Sequence, residues 1–491
     1  MVQVTVLDYG AGNVRSVKNA IRAAGHTFKD AQSANDIRNA EVLVFPGVGH
    51  YREAMEFLNA KGYTDVLREY IQQDKRFLGI CLGMQTLFEG SEECPGLKGL
   101  GVIKGTVQLF PSDAIAVPHI GWNGLKVWKK SSLFAHLPQI EEHDATKVYF
   151  VHSFRAIKTE KNASWVLTTT NYGDYEFISS VQKGNVMATQ FHPEKSSTIG
   201  INILKGFLEN IPKVDHDVAI PDAGAQPATK LSKRVIACLD GDQYDVRETS
   251  DDGAVRNLGK PVDLCTRYYK EGADEVTFLN ICSFREQPIG DMPMLKVLEA
   301  SSQQVFVPLT VGGGIREYID DKQQKFSALD VASRYFRSGA DKVSIGSDAV
   351  YAAEAYYARH TVVKLNKPGP NGEEYCWYQA TVRGGREARD IDVVQVAQAV
   401  EALGAGELLL NLMDMDGQKD GYDLNLVKLV KDAVTIPVIA SSGAGKPEHF
   451  TQVFKETNCD AALAAGIFHR KEVSIQEVKD QLHADSISVR L

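Results

Sequence analysis

Short apolar runs alternate with stretches of helical periodicity along the N-terminal part of the chain. Val2–Leu7 ends in Asp8-Tyr9-Gly10-Ala11-Gly12-Asn13, and a helical pattern follows from Val14 to Ala24. Val42–Phe45 is closed by Pro46-Gly47-Val48-Gly49, and Phe77–Cys81 leads into a helix-like stretch from Leu82 to Phe88. Strands alternating with helices predict an α/β domain. Val148–His152, Ser164–Thr169 and Val186–Phe191 read as further strands, and the pattern runs out near Ile211. Residues 212 to 232 lack periodicity and carry three prolines, which marks a linker.

Beyond the linker a weak repeat begins. Lys233-Arg234 precedes VIACLD, Asp274-Glu275 precedes VTFLN, Asp341-Lys342 precedes VSIGS, and Gly406-Glu407 precedes LLLNL. Each unit is a charge, an apolar strand and a polar tip, with helical patterns between. Val305–Gly314, Ile436–Gly443 and Asp460–Ile467 add strand candidates. Such repetition predicts a (βα)8 TIM barrel over 233–491, with chemistry at the strand C-terminal ends. The expected organisation is an α/β domain over 1–211, the linker over 212–232, and the barrel.

Composition changes this picture little. A hydrophobic fraction of 44 % and a charged fraction of 24 % are ordinary for a globular chain of 491 residues. A net charge of −9 argues against a broad nucleic-acid-binding face. The seven cysteines form no C-x-x-C pair, so neither a zinc site nor a disulfide framework is expected, and free thiols suit a reducing compartment. No apolar run approaches the ~20 residues of a membrane span. Met1–Tyr9 reads as a strand rather than a targeting segment. A cytoplasmic location is expected, or the plastid stroma if a transit peptide was removed.

The first candidate chemistry lies at Gly79-Ile80-Cys81-Leu82-Gly83, where a strand turns into a helix. This is the nucleophile-elbow pattern with Cys for Ser, and a helix N-terminus favours the reactive thiolate. A buried structural cysteine is the plain alternative. His192-Pro193-Glu194 bears on the choice. Residues two apart on an extended chain share a face, so His192 could take the thiol proton while Glu194 orients the imidazole. His152 competes as the base, without a carboxylate close in sequence. Pro46-Gly47-Val48-Gly49 is either a plain tight turn or one that presents the Val48 N–H to an oxyanion, with the Leu82 amide as second donor.

DYGAGN, FPGVG, GICLGMQ, HIGWN, YFVHSF and QFHPEKS together resemble class I glutamine amidotransferases, and more narrowly the glutaminase part of imidazole glycerol phosphate synthase. The resemblance implies Cys81 as nucleophile, His192 and Glu194 as the rest of the triad, and Gln85 with Gly47 at the substrate glutamine.

In the second half, Asp240 sits at the tip of the first barrel strand, and Asp414 and Asp416 lie just beyond LLLNL. Carboxylates there are placed for acid–base work, although Asx turns are common at such positions. Glycines gather at four other tips, around Gly313, Gly346-Ser347, Gly443 and Ala465-Gly466. Small residues let backbone N–H groups approach phosphate. Two pairs of such tips suggest a long substrate with a phosphate at each end.

KRVIACLD, GDQYDVR, LTVGGGIR, SGADKVSIGSDAV, GAGELLLN, DMDGQKDGYD and PVIASSGAG resemble the cyclase part of the same synthase, in the fused eukaryotic order. The resemblance implies a glutamine-dependent enzyme of histidine biosynthesis in which released ammonia reacts with a bisphosphorylated ribotide. Asp240 and Asp416 become catalytic, and no cofactor or metal is implied. Buried charges must be paired, so Arg234, Glu275, Lys342 and Glu407 would form a ring at the barrel floor, where the family has its ammonia entrance. Lys195 is implied to pair with Asp341. Both activities are expected on one monomeric chain, without nucleic acid or membrane.

The match departs from the family in two places. Asp240 runs straight into Gly241-Asp242-Gln243, without the lysine-bearing loop, and no strand with an Asp tip follows Tyr351–His360 before Pro368-Gly369-Pro370. A true deletion would favour a non-catalytic phosphosugar-binding or regulatory protein, or another glutamine-dependent synthase.

Overall fold

The computed structural model describes residues 1–137, 140, 146–209, 218–220, 224, 226–241, 246–249, 255–280, 292–319, 324–354, 363–364 and 375–491. They form two compact units: Met1–Pro111, His119–Ser232 and Ser302–Val307 make one, and Ser112–Pro118, Lys233–Ser301 and Pro308–Leu491 the other.

The first unit is built on an eight-stranded sheet in the order Thr27–Asp30, Gln3–Val6, Val42–Gly47, Arg76–Cys81, Val186–Thr189, Tyr175–Lys183, Val166–Tyr172, Lys126–Val127. The first five strands run parallel and the rest antiparallel. Val42–Gly47 is buried throughout, as a strand covered on both faces must be. A separate hairpin pairs His119–Gly124 with Lys147–His152, so that His119 stands opposite His152.

The helix after Cys81 is shorter than its pattern predicts, ending at Gln85 rather than Phe88. The Thr86 hydroxyl bonds back to the Gly83 carbonyl. The carbonyls of Thr86, Leu87 and Phe88 accept from the amides of Leu100, Ile103 and Gly101, so tertiary bonds replace the next helical turn.

The second unit carries seven parallel strands in the order Lys342–Ser344, Leu309–Gly312, Glu275–Asn280, Arg234–Gly241, Ala461–Ala464, Val438–Ser441, Leu408–Asn411. Helices follow the strands, several with reciprocal caps such as Ser327–Asp330 and Ser474–Glu477. This is the strand–helix succession of a TIM barrel. Among the described residues, no strand joins Lys342–Ser344 to Leu408–Asn411, so the sheet keeps two edges there. Residues 355–362 and 365–374 and the stretch 242–245 after Gly241, where the sequence departs from the family, lie outside the described residues. A hairpin of Gln379–Val382 and Glu387–Asp392 precedes the helix Val393–Ala402.

Candidate active sites

Cys81 closes its strand with φ +52 and ψ −105, a strained geometry for a residue with a side chain. The two flanking glycines make it possible. A Cβ on Gly83 would stand 2.1 Å from the Phe45 carbonyl oxygen, and one on Gly79 would stand 2.9 Å from the Gly83 backbone. The strained turn leaves the Cys81 side chain at the head of the helix Leu82–Gln85.

His192 Nδ1 lies 2.8 Å from Glu194 Oε1, and both side chains are buried. Burial opposes the imidazolium, yet Glu194 and then the Cys81 sulfur outweigh it and raise His192 well above its ordinary range. The opposite nitrogen, Nε2, is buried without a partner in hydrogen-bond geometry, although the Cys81 sulfur is close enough to raise the imidazole. The imidazole is thus held by a carboxylate on one side and carries its free edge beside the thiol, the order of groups in a Cys-His-Glu triad.

His152 is not placed to act as a base. Its Nδ1 donates to the Phe154 carbonyl at 2.8 Å, so its Nε2 must accept from His119 Nδ1 at 3.1 Å. His119 Nε2 then accepts from Asn123 Nδ2 at 3.3 Å. Burial pushes His152 down to about 3 and holds His119 far below its usual range. Both rings are neutral and fixed in tautomer.

The Pro46–Gly49 turn lies against the elbow: a Cβ on Gly47 would stand 2.7 Å from Leu82 Cβ. The Tyr9 phenol donates to the Val48 carbonyl, and burial of the phenol followed by the nearby Cys81 and Glu53 keeps it neutral. Gln85 is buried behind Cys81; its Nε2 donates to the Phe154 carbonyl and to Gln190 Oε1, each at 3.1 Å. Gln190, which motif reading passed over, donates from Nε2 to Cys81 Sγ at 3.3 Å. Its spacing two residues before His192 was the available signal, although the strand ends at Thr189 and His192 caps a 3-10 turn over Pro193–Lys195, so Glu194 reaches the imidazole across a turn and not along one face of an extended chain. The His119–His152 pairing had no such signal, since it depends on strand register.

In the second unit, Asp240 ends its strand with Oδ1 3.3 Å from Cys238 Sγ. Burial pushes its carboxyl up to about 6, with the Asp416 charge adding to the rise. Asp416 follows the turn Met413–Met415 and is raised by desolvation, although its surface is exposed. Asp414 is also exposed. The glycine-bearing tips fall on two neighbouring strand pairs, Leu309–Gly312 with Lys342–Ser344 and Val438–Ser441 with Ala461–Ala464. Gly313 and Gly443 have φ +92 and +95, and a Cβ on Gly443 would meet the Gly421 carbonyl at 2.1 Å. Gly346 faces open space, Ser347 and Gly466 begin helices, and Ala465 caps the second. The Ser347 hydroxyl accepts from the Arg383 amide.

At the opposite strand ends, four charges meet. Arg234 Nη1 is 3.1 Å from Glu275 Oε2, and Arg234 Nη2 bonds Glu407 Oε1. Lys342 Nζ is 2.6 Å from Glu275 Oε1 and from Glu407 Oε2. Thr310 adds a bond to Glu275. Each cation touches both carboxylates, so the ring is electrically closed.

Among the described residues, no group of three or more His, Cys, Asp or Glu side chains is placed to hold a metal, and no helix is long and apolar enough to cross a membrane.

Residues 5–211 match the family of class-I glutamine amidotransferases, and residues 234–474 match the family described as histidine biosynthesis protein. The imidazole glycerol phosphate synthase hisHF of Arabidopsis thaliana, named chloroplastic, is 52 % identical, across 99 % of this chain and 89 % of that protein. Its alignment runs over 541 positions against 491 residues here, so at least 50 of them have no counterpart in this chain. The hisHF of Schizosaccharomyces pombe is 48 % identical over 99 % of both chains. The HisF subunit of Clostridium botulinum strain Okra is 41 % identical, over 53 % of this chain and the whole of that protein. The chain therefore belongs to the fused hisHF family of imidazole glycerol phosphate synthases, a glutamine amidotransferase and a histidine-biosynthesis cyclase in one polypeptide.

Proposed function

We propose that Cys81 attacks the carboxamide of glutamine, that His192 oriented by Glu194 takes the thiol proton and returns it to the leaving ammonia, and that Val48 and Leu82 amides receive the oxyanion. Gly47 and Gln85 bind the glutamine. The ammonia passes through the Arg234–Glu275–Lys342–Glu407 ring and reacts in the barrel with the phosphoribulosyl-formimino aminoimidazole carboxamide ribotide. Water, deprotonated by His192, hydrolyses the remaining glutamyl thioester and frees Cys81, so the products are glutamate, imidazole glycerol phosphate and aminoimidazole carboxamide ribotide. Asp240 and Asp416 act as acid and base, and the tips at Gly313, Gly346-Ser347, Gly443 and Ala465-Gly466 hold the two phosphates. In this reading residues 212–232 link the domains, and the enzyme works as a monomer. Five buried free cysteines, Cys81, Cys94, Cys238, Cys265 and Cys459, suit a reducing compartment. Cytosol and plastid stroma both meet that condition.

The observation that carries the reading is the buried His192–Glu194 pair beside Cys81 on its strained elbow. Its test compares nitrogen sources. Cys81→Ala should abolish synthesis with glutamine and keep it with ammonium salts; equal loss with both would count against it.

A further inference from the structure

The carboxamide of Gln190 reaches the Cys81 sulfur, and its orientation is not free. Gln85 Nε2 donates to Gln190 Oε1 at 3.1 Å, which fixes the oxygen on that side and turns the NH2 group to the sulfur, 3.3 Å away. Gln85 Nε2 is itself fixed as a donor by the Phe154 carbonyl, an acceptor only. That carbonyl also receives His152 Nδ1, and His152 is backed by His119 and Asn123. Gln190, Gln85, His152, His119 and Asn123 are all buried. The sulfur also lies 4.0 Å from the Val151 carbonyl, a long contact.

We infer that Gln190 is a positioning residue for the nucleophile: its carboxamide, aimed by Gln85, donates to the Cys81 sulfur and stabilises the thiolate. A hydrogen bond to a charged acceptor is worth more than one to a neutral partner, so this donor favours the anion over the thiol. The chain Asn123–His119–His152–Phe154 carbonyl serves to hold Gln85 in register. Gln85 thereby acts on the sulfur as well as on substrate glutamine. The inference rests on Cys81 being the nucleophile.

The test uses the full-length protein with Gln190→Met, which removes the donor, and Gln190→Glu, which keeps the shape but sets an acceptor against the sulfur. Alkylation of the Cys81 peptide by iodoacetamide at pH 7 is followed by mass spectrometry, alongside kcat and KM for glutamine. Alkylation and kcat should fall about tenfold in Gln190→Met, the worth of one such bond, and further in Gln190→Glu, with KM within about twofold. A merely structural role predicts the reverse ranking, with the shape-conserving Glu nearest the parent. That ranking, an unchanged alkylation rate, or a rise in KM with kcat retained would overturn the inference. If Gln190→Met does not fold, Gln190→Glu alone decides through its alkylation rate. Cys81→Ala serves as control: glutaminase activity surviving in it would refute the nucleophile itself, whatever Gln190 does.

Discussion

The ammonium of Lys342 lies 2.6 Å from Glu407 Oε2, and this contact joins two strands of the barrel sheet that no backbone ladder joins among the described residues. Lys342 begins one edge strand and Glu407 immediately precedes the other. Arg234 and Glu275 complete the ring from the interior strands. The ion ring therefore ties together strand ends as well as neutralising buried charge.

Removing one member should leave an uncompensated buried charge. Glu407→Gln is expected to destabilise the barrel by about 3–5 kcal/mol in urea unfolding at pH 7. Burial opposes the Glu407 carboxylate, but Arg234 and Lys342 hold its carboxyl below the usual range. A lowered folded-state value contributes stability above the unfolded value and loses it as pH falls below. The gap between parent and variant should accordingly shrink below roughly pH 4.3. A gap independent of pH would show that the ring is not ionised as drawn.

Asp240 carries the opposite sign. Its carboxyl is raised to about 6 by burial, so the fold pays for its ionisation above that pH and not below the unfolded value of roughly 3.9. Asp240→Asn should stabilise the protein at pH 7, with the advantage fading between 6 and 4. If the carboxylate is the base, ammonia-supported synthesis, measured at constant free ammonia, should fall as pH drops through 6. The Asn variant should lose about 100-fold or more. A variant that is less stable at pH 7, or a flat acid limb, would contradict this assignment.

The two histidines near the thiol should separate cleanly. His192→Asn is expected to remove glutaminase activity by about a thousandfold or more, because it deletes the base. His152→Gln should cost no more than about tenfold, since both ring nitrogens are already committed to protein partners. Steady-state rates with glutamine, at saturating bisphosphate, decide between them; equal losses would restore His152 as a base.

Gly83 tests the elbow. With the Phe45 carbonyl 2.1 Å from where a Cβ would stand, Gly83→Ala must shift backbone rather than a side chain. Glutaminase activity should be lost while ammonia-supported synthesis survives in the soluble protein. Retained glutaminase would mean the turn is looser than the strained φ of Cys81 suggests.

Much of this was legible in the sequence because the chemistry is local. Glycines at 79 and 83 announce a sharp turn at Cys81, and His192 and Glu194 stand two residues apart. The periodic charges before the barrel strands announce their common end. Legibility failed where an outcome depended on distant partners. Nothing local says that the carbonyls of residues 86 to 88 accept from residues 100 to 103 and so stop a helix early. Nor does spacing reveal that His119 opposes His152 across a hairpin and silences it as a base. Gln190 lay between these cases: its alternation with His192 was visible, but its bond to sulfur needed three dimensions.

The central claim is that nitrogen freed at Cys81 is the nitrogen built into the product. Synthesis with amide-15N glutamine in a large excess of unlabelled ammonium measures it directly, by the mass of the imidazole glycerol phosphate formed. Label is expected in the imidazole ring at close to full enrichment, because ammonia that stays inside the protein does not exchange with bulk. Product carrying mainly unlabelled nitrogen, from a protein still hydrolysing glutamine, would contradict it.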